Sequence, residues 1–150
     1  MEDFDIVVGI GCDHAGYELK EKLKSKLKKF GYTVQDFGAN SKLSVDYPDI
    51  IHPLAKAVND GKIHKAIIIC GSGNGVAMVA NKYINVRAAV CWSPEIAKYA
   101  RLHNDANIIS IPARFVSQRK AFTIMDVFMT TAFEAGRHKI RVEKISAVIV

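Results

Sequence analysis

The chain is poor in the features that staple or divide a protein. Its 150 residues include only four prolines and three cysteines, and no Pro- or Ser-rich stretch marks a linker. One domain over residues 1–150 is expected, long enough to bury roughly two-thirds of its unfolded surface without covalent help. Cys12, Cys70 and Cys91 form an odd set with no C-x-x-C pair, which speaks against a disulfide framework or a thiolate zinc site and suits a reducing compartment. No His, Asp or Glu set has metal-ligand spacing on one element, so no metal is expected. The longest apolar runs, such as Ala66 to Cys70, are strand-sized, far below the ~20 residues a membrane helix needs. Met1-Glu2-Asp3 carries the wrong charge for a signal peptide. A cytoplasmic protein with no membrane attachment is expected.

Positive charge is in excess, with a net +6. Such a charge suits either a nucleic acid or a phosphorylated metabolite. Lysines 20, 22, 24, 26, 28 and 29 fall on one segment, and its Leu19, Leu23, Leu27 and Phe30 have helical spacing. The segment reads as an amphipathic helix over Tyr17–Phe30, acidic at its start, basic at its end and closed by Gly31. All six lysines are then expected on a solvated face. No aromatic residues interleave with them as base-stacking platforms, so nucleic acid is not expected as a partner.

The rest of the chain alternates. Ile6–Gly11, Thr33–Phe37, Ala66–Cys70, Arg87–Cys91 and Asn107–Ile111 read as short apolar strands. Helices are expected at Pro48–Asn59, from Gly75 through Lys82, at Pro94–His103 and at Ser117–Phe133. A final segment, about Lys139–Val148, has Ile140, Ile145 and Val148 near helical spacing, and is expected to pack on a partner subunit. The fold class predicted is α/β, a Rossmann-like three-layer sandwich. Its five-stranded parallel sheet carries helices on both faces and an extra C-terminal helix.

Ligands of such sheets bind at the carboxyl ends of strands. Reading the strand exits gathers Gly11-Cys12-Asp13-His14, Cys70-Gly71-Ser72-Gly73-Asn74-Gly75, Cys91, and further on His103-Asn104-Asp105. Gly71, Gly73 and Gly75 between a strand and a helix let the backbone turn its N–H groups inward, a nest for a phosphate or a developing oxyanion. CGSGNG lacks the ending of a P-loop, and GIGCDHAG has His14 where a dinucleotide fingerprint needs its third glycine. Cys70 differs from the other thiols in standing directly before the nest. There a thiolate can serve as nucleophile or as proton-abstracting base. His14 can be an acid, a phosphate ligand or a cap residue, and His103 ends a helix whose dipole favours imidazolium. His52 and His64 read as surface residues. Arg137 and Arg141, with His138 between them, lie four residues apart on one helical face and can clamp a phosphate; Arg114 is a further candidate.

Taken together, GCDHAG, DYPD at 46–49, CGSGNG at 70–75, ANK at 80–82, HNDAN at 103–107 and GRHKIRVEKI at 136–145 resemble the type B ribose-5-phosphate isomerase family. That family also includes allose- and galactose-6-phosphate isomerases. The resemblance implies interconversion of an aldose and a ketose phosphate through a cis-enediolate, without metal or cofactor. It also implies a homodimer or dimer of dimers with active sites at the subunit interface. By position, Cys70 would carry the proton between C2 and C1, while Ser72 and the N–H groups of Gly71, Gly73, Asn74 and Gly75 stabilise the enediolate. His103 would open the furanose ring, assisted by Asp13 and Tyr47, and Asn104 would contact the sugar. His14, Arg114, Arg137, His138 and Arg141 would hold the phosphate. A second branch of the family has glycine at the cysteine position and a glutamate base at the position of Val76; with Cys70 present and Val76 unable to act, this chain resembles the cysteine branch. A non-catalytic sugar-phosphate sensor would present the same nest and clamp.

Overall fold

The computed structural model describes residues 6–147. The expected contributions of Met1 to Asp3 and of Val148 lie outside those residues. Strands and helices alternate as β1 (Val7–Cys12), a 3-10 turn (His14–Gly16), α1 (Tyr17–Lys29), β2 (Thr33–Asp36), α2 (Tyr47–Asn59) and β3 (Lys65–Cys70). They continue as α3 (Asn74–Ala80), β4 (Ala88–Val90), α4 (Pro94–Leu102), β5 (Ile108–Pro112), α5 (Gln118–Thr130) and α6 (Arg137–Ile145). The sheet order is β2-β1-β3-β5-β4, every pair parallel. The predicted three-layer α/β sandwich is what forms.

Side chains alternate along each strand, and the two faces fill separately. Val8, Ile10, Cys12, Ile67, Ile69, Ile109 and Ile111 face Leu23 and Leu27 of α1, Ala97 of α4 and Phe128 of α5. Ala66, Ile68, Cys70 and Ile108 face Leu54 and Val58 of α2 and Val76 and Ala80 of α3. Each fully buried Leu, Ile or Phe contributes about 1.5–3 kcal/mol. Cys12 and Cys70 therefore end adjacent strands but point to opposite faces, which keeps the two thiols apart.

Local signals set the ends of these elements. At the end of α1, the Gly31 N–H donates to the Lys28 carbonyl at 3.0 Å and the Tyr32 N–H to Leu27 at 3.1 Å, while Gly31 takes φ +90°. This is a Schellman closure around glycine. Ser93 and Ser117 cap α4 and α5 with their hydroxyls.

Three expectations need correction. Lys20 is not on a solvated face: it is fully buried beneath the Asp36 carboxylate and the Ala39 carbonyl, because its position on α1 turns toward β2. Helix α5 stops at Thr130 rather than Phe133, where Thr131 turns extended and its carbonyl accepts from Arg101 Nε at 3.0 Å. Helix α6 starts at Arg137, two residues early, after Ala135 and Gly136 both adopt positive φ. Its inward positions are His138 and Val142, so Ile140 and Ile145 stay exposed. Among the described residues no helix is long and apolar enough to cross a membrane.

Candidate active site

After β1 the chain turns through α1 toward one edge, to β2. After β3 it turns through α3, on the opposite face, toward the other edge. Since β1 and β3 are neighbours, a crevice opens between their carboxyl ends, where doubly wound sheets bind ligands. Asp13 and His14 leave β1 there, and Cys70 to Gly75 leave β3. Asp13 accepts from the Gly16 N–H at 3.0 Å and so fixes the 3-10 turn that carries His14. Gly16 is required for packing: a Cβ there would stand 2.7 Å from Ile69 Cγ2 and 2.9 Å from its carbonyl oxygen.

Cys70 is 6% exposed, and the Gly73 N–H donates to its Sγ at 3.1 Å. Gly73 holds φ +75°, a conformation L side chains seldom adopt. The nest thus aims a backbone N–H at the Cys70 sulfur. Burial pushes the Cys12 and Cys91 thiols up to about 11 and about 12, at Cys12 against the opposing effect of a hydrogen bond from the Ala39 backbone. Tyr47 and Arg114 lie across the loop from either side. A Cβ on Gly75 would fall 2.7–3.0 Å from the Tyr47 ring and one on Gly71 3.2 Å from Arg114 Nη1. Asp13, His14, Tyr47 and Arg114 line a cleft of about 650 Å³ whose rim also carries Asp46 and Asp49. His14 Nδ1 is buried with no hydrogen-bond partner in the structure; a buried acceptor or donor left open in this way suits an incoming polar ligand.

The remaining candidates lie elsewhere, and grouping His103-Asn104-Asp105 with the strand exits is corrected by the topology. His103 closes α4, which runs antiparallel to the strands, so it stands at the entry of β5, on the amino edge of the sheet. A five-residue strand puts roughly 15 Å between the two edges. Asn104 lines a separate cleft of about 620 Å³ with Arg87, Tyr83 and Ile145. His103 stacks on His138, ring centroids 4.1 Å apart and planes 14° from parallel. Desolvation, with nearby His103 and Arg137, holds the His138 imidazole below its usual range. Arg137 and Arg141 are exposed and, among the described residues, form no ion pair. The candidate residues therefore fall into two clusters. Asp13, His14, Tyr47, Cys70, Gly71, Ser72, Gly73, Asn74, Gly75 and Arg114 are at the carboxyl edge; His103, Asn104, Arg137, His138 and Arg141 are at the amino edge.

Several contributors leave no mark in the sequence pattern. Glu134, in the irregular stretch before α6, reaches His103 Nε2 at 3.8 Å. Asp105 takes φ +47° and accepts from Arg101 at 2.9 Å and Arg87 at 3.4 Å, pinning the turn that presents His103. His103, Glu134 and His138 each bring a ligand atom within 4.8 Å of the others. The two stacked imidazole planes, 14° from parallel, converge only far beyond metal–ligand distance, however, and a metal ion needs in-plane lone pairs from each ring.

Residues 8–145 match the family described as Ribose/Galactose Isomerase. The chain is 38% identical over 141 residues to "Ribose-5-phosphate isomerase B" of Escherichia coli, covering 94% of this chain and 95% of that one. The Clostridium thermocellum ribose-5-phosphate isomerase B structure superposes with a TM-score of 0.91 at 45% identity, covering 93% and 95% of the two chains. The structure of the Mycoplasma genitalium enzyme with bound ribulose-5-phosphate does so with 0.90 at 37% identity, covering 93% of each. By sequence and by fold, the chain belongs to the ribose/galactose isomerase family.

Proposed function

We propose that this protein is an aldose–ketose isomerase that interconverts ribose 5-phosphate and ribulose 5-phosphate. The observation that carries the reading is the Gly73 N–H directed at Cys70 Sγ, at the mouth of the crevice between β1 and β3. A thiolate held there takes the proton from C2 of the open-chain aldose and returns it to C1. The carbonyl moves from C1 to C2 as the hydroxyl proton passes from O2 to O1, so no atom is gained or lost. The cis-enediolate between these steps carries its charge on two oxygens beside the loop, where Ser72 and the N–H groups of Gly71 to Gly75 stabilise it.

His103 opens the furanose ring, Asp13 and Tyr47 assist, and Asn104 contacts the sugar. His14, Arg114, Arg137, His138 and Arg141 hold the phosphate. Since the two clusters lie on opposite sheet edges, the complete site takes His103, Asn104, Arg137, His138 and Arg141 from a second copy of the chain. Arg137 and Arg141, which form no ion pair among the described residues, support this reading, because a phosphate dianion would supply a partner charge. The reaction belongs to the non-oxidative branch of the pentose phosphate pathway, in the cytoplasm.

The test is exchange of the C2 proton of ribose 5-phosphate with deuterated solvent, followed alongside ketose formation. Parent protein should show both, and Cys70→Ala neither, while still binding the sugar phosphate. Undiminished turnover in Cys70→Ala would remove the cysteine from the chemistry. Parallel assays with allose 6-phosphate and galactose 6-phosphate fix substrate length: preference for either replaces the pentose, and binding without exchange identifies a sensor.

A further inference from the structure

Strand β5 reads Ile-Ile-Ser-Ile-Pro, and Ser110 is the one hydroxyl in it, fully buried among aliphatic side chains. It pairs with Ile68 of β3 and shares the face that carries Cys70. A hydroxyl in such a position costs stability unless it makes a hydrogen bond. Ser110 Oγ donates to the Gly73 carbonyl at 2.6 Å. Gly73 is also the residue whose N–H reaches Cys70 Sγ at 3.1 Å. Its other close neighbours are rigid: a Cβ on Gly73 would lie 3.1 Å from Ser110 Oγ, 3.3 Å from the Pro112 nitrogen and 3.3 Å from Val90 Cγ1.

We infer that Ser110 is a positioning residue for the isomerase: by tethering the Gly73 carbonyl to β5 it fixes the left-handed turn that aims the Gly73 N–H at Cys70 Sγ. A loop bond is only as directional as the peptide that carries it. Gly73 has access to both halves of backbone conformational space, and the nest gives it no side chain to anchor. The tether comes instead from a neighbouring strand, across the β3–β5 register, and removes the freedom that glycine brings. Ser110 lies beneath the loop and acts through Gly73, so its effect falls on the thiol and on kcat rather than on substrate affinity. The inference rests on Cys70 being the base.

The test reads Cys70 directly. Purified Ser110→Ala is alkylated with iodoacetamide across a pH series, and modification of Cys70 is followed by peptide mass spectrometry, which separates it from buried Cys12 and Cys91. Without the tether, alkylation of Cys70 at about pH 7.5 is expected to slow roughly tenfold, its midpoint moving up by about one pH unit. In the same variant kcat falls by about tenfold and recovers as the pH rises, while KM changes by less than about twofold. Ser110→Thr, which keeps the hydroxyl, restores both. Ser110→Cys, a weaker donor of similar size, falls between parent and alanine, and supplies the measurement if the alanine variant does not fold. A parental alkylation midpoint in either folded variant overturns the inference. The tether is judged by the difference between variant and parent, and the base by Cys70→Ala, so the two fail separately.

Discussion

Lys20 donates to both carboxylate oxygens of Asp36, at 2.9 and 2.8 Å, from a position with no solvent exposure. A third bond runs 2.7 Å to the Ala39 carbonyl, and the Glu21 carboxylate stands 3.2 Å from the same ammonium. This pair joins α1 to the end of β2. Burial works to raise the Asp36 carboxyl, but Lys20 and Lys24 outweigh it and hold it below the usual range.

Removing one partner strands the other. Asp36→Ala leaves the buried ammonium with the Ala39 carbonyl and the partly exposed Glu21 carboxylate at 3.2 Å, and should cost up to about 3 kcal/mol in urea unfolding. Adding Lys20→Met to that variant should recover part of the loss, because no buried charge remains. The pH dependence has a definite sign. Asp36 titrates lower in the folded chain, so its stabilisation is present above the unfolded pKa near 3.8 and is lost as pH falls through the folded value.

His138 acts in the same sense, at a higher pH. Its folded pKa lies below the ordinary 6.5, so the native chain prefers the neutral ring. Stability should therefore decline as pH falls below that value, since the unfolded chain binds the proton more readily. Thermal unfolding between about pH 7.5 and about pH 5.5 should show a smaller drop for His138→Asn than for the parent.

Gly75 separates activity from stability. It lies in the first turn of α3 without positive φ, so alanine suits the helix and gains up to about 1 kcal/mol of propensity. The new methyl must displace the half-exposed Tyr47 ring. Steady-state assays should show Gly75→Ala at least about tenfold less active with an unchanged or raised Tm.

The two proposed half-sites allow complementation. Cys70→Ala and His103→Asn should each be inactive alone. Mixed at equal amounts, unfolded and refolded together, half the dimers are hybrid and each carries one intact site, so activity should return to about a quarter of the parent. No recovery would mean that a single chain builds the whole site.

The order of elements is legible in the sequence because apolar runs of strand length, glycine closures and serine caps are local signals that tertiary packing did not override. The Cys70 loop is legible for the same reason: its chemistry and its glycines are contiguous. The burial of Lys20 is not, since helical spacing gives the lysine stripe no hint of a carboxylate arriving from β2. Nor is the edge on which His103 falls, which depends on the direction of α4 and not on motif order. Glu134 and Ser110 work through residues distant in the chain, and a lone serine in an apolar strand carries no pattern to find. The ends of α5 and α6 are set by the Arg101 bond to Thr131 and by two left-handed residues, one of them alanine.

The separation of Cys70 from His103 across the sheet reaches beyond chemistry. In the proposed shared site, a sugar phosphate that touches both copies binds the assembled pair more tightly than either chain alone. Binding and assembly are then linked, and each strengthens the other by the same factor. At low protein concentration, metabolite supply would set how much of the enzyme exists as a working unit, and starvation would dissolve it.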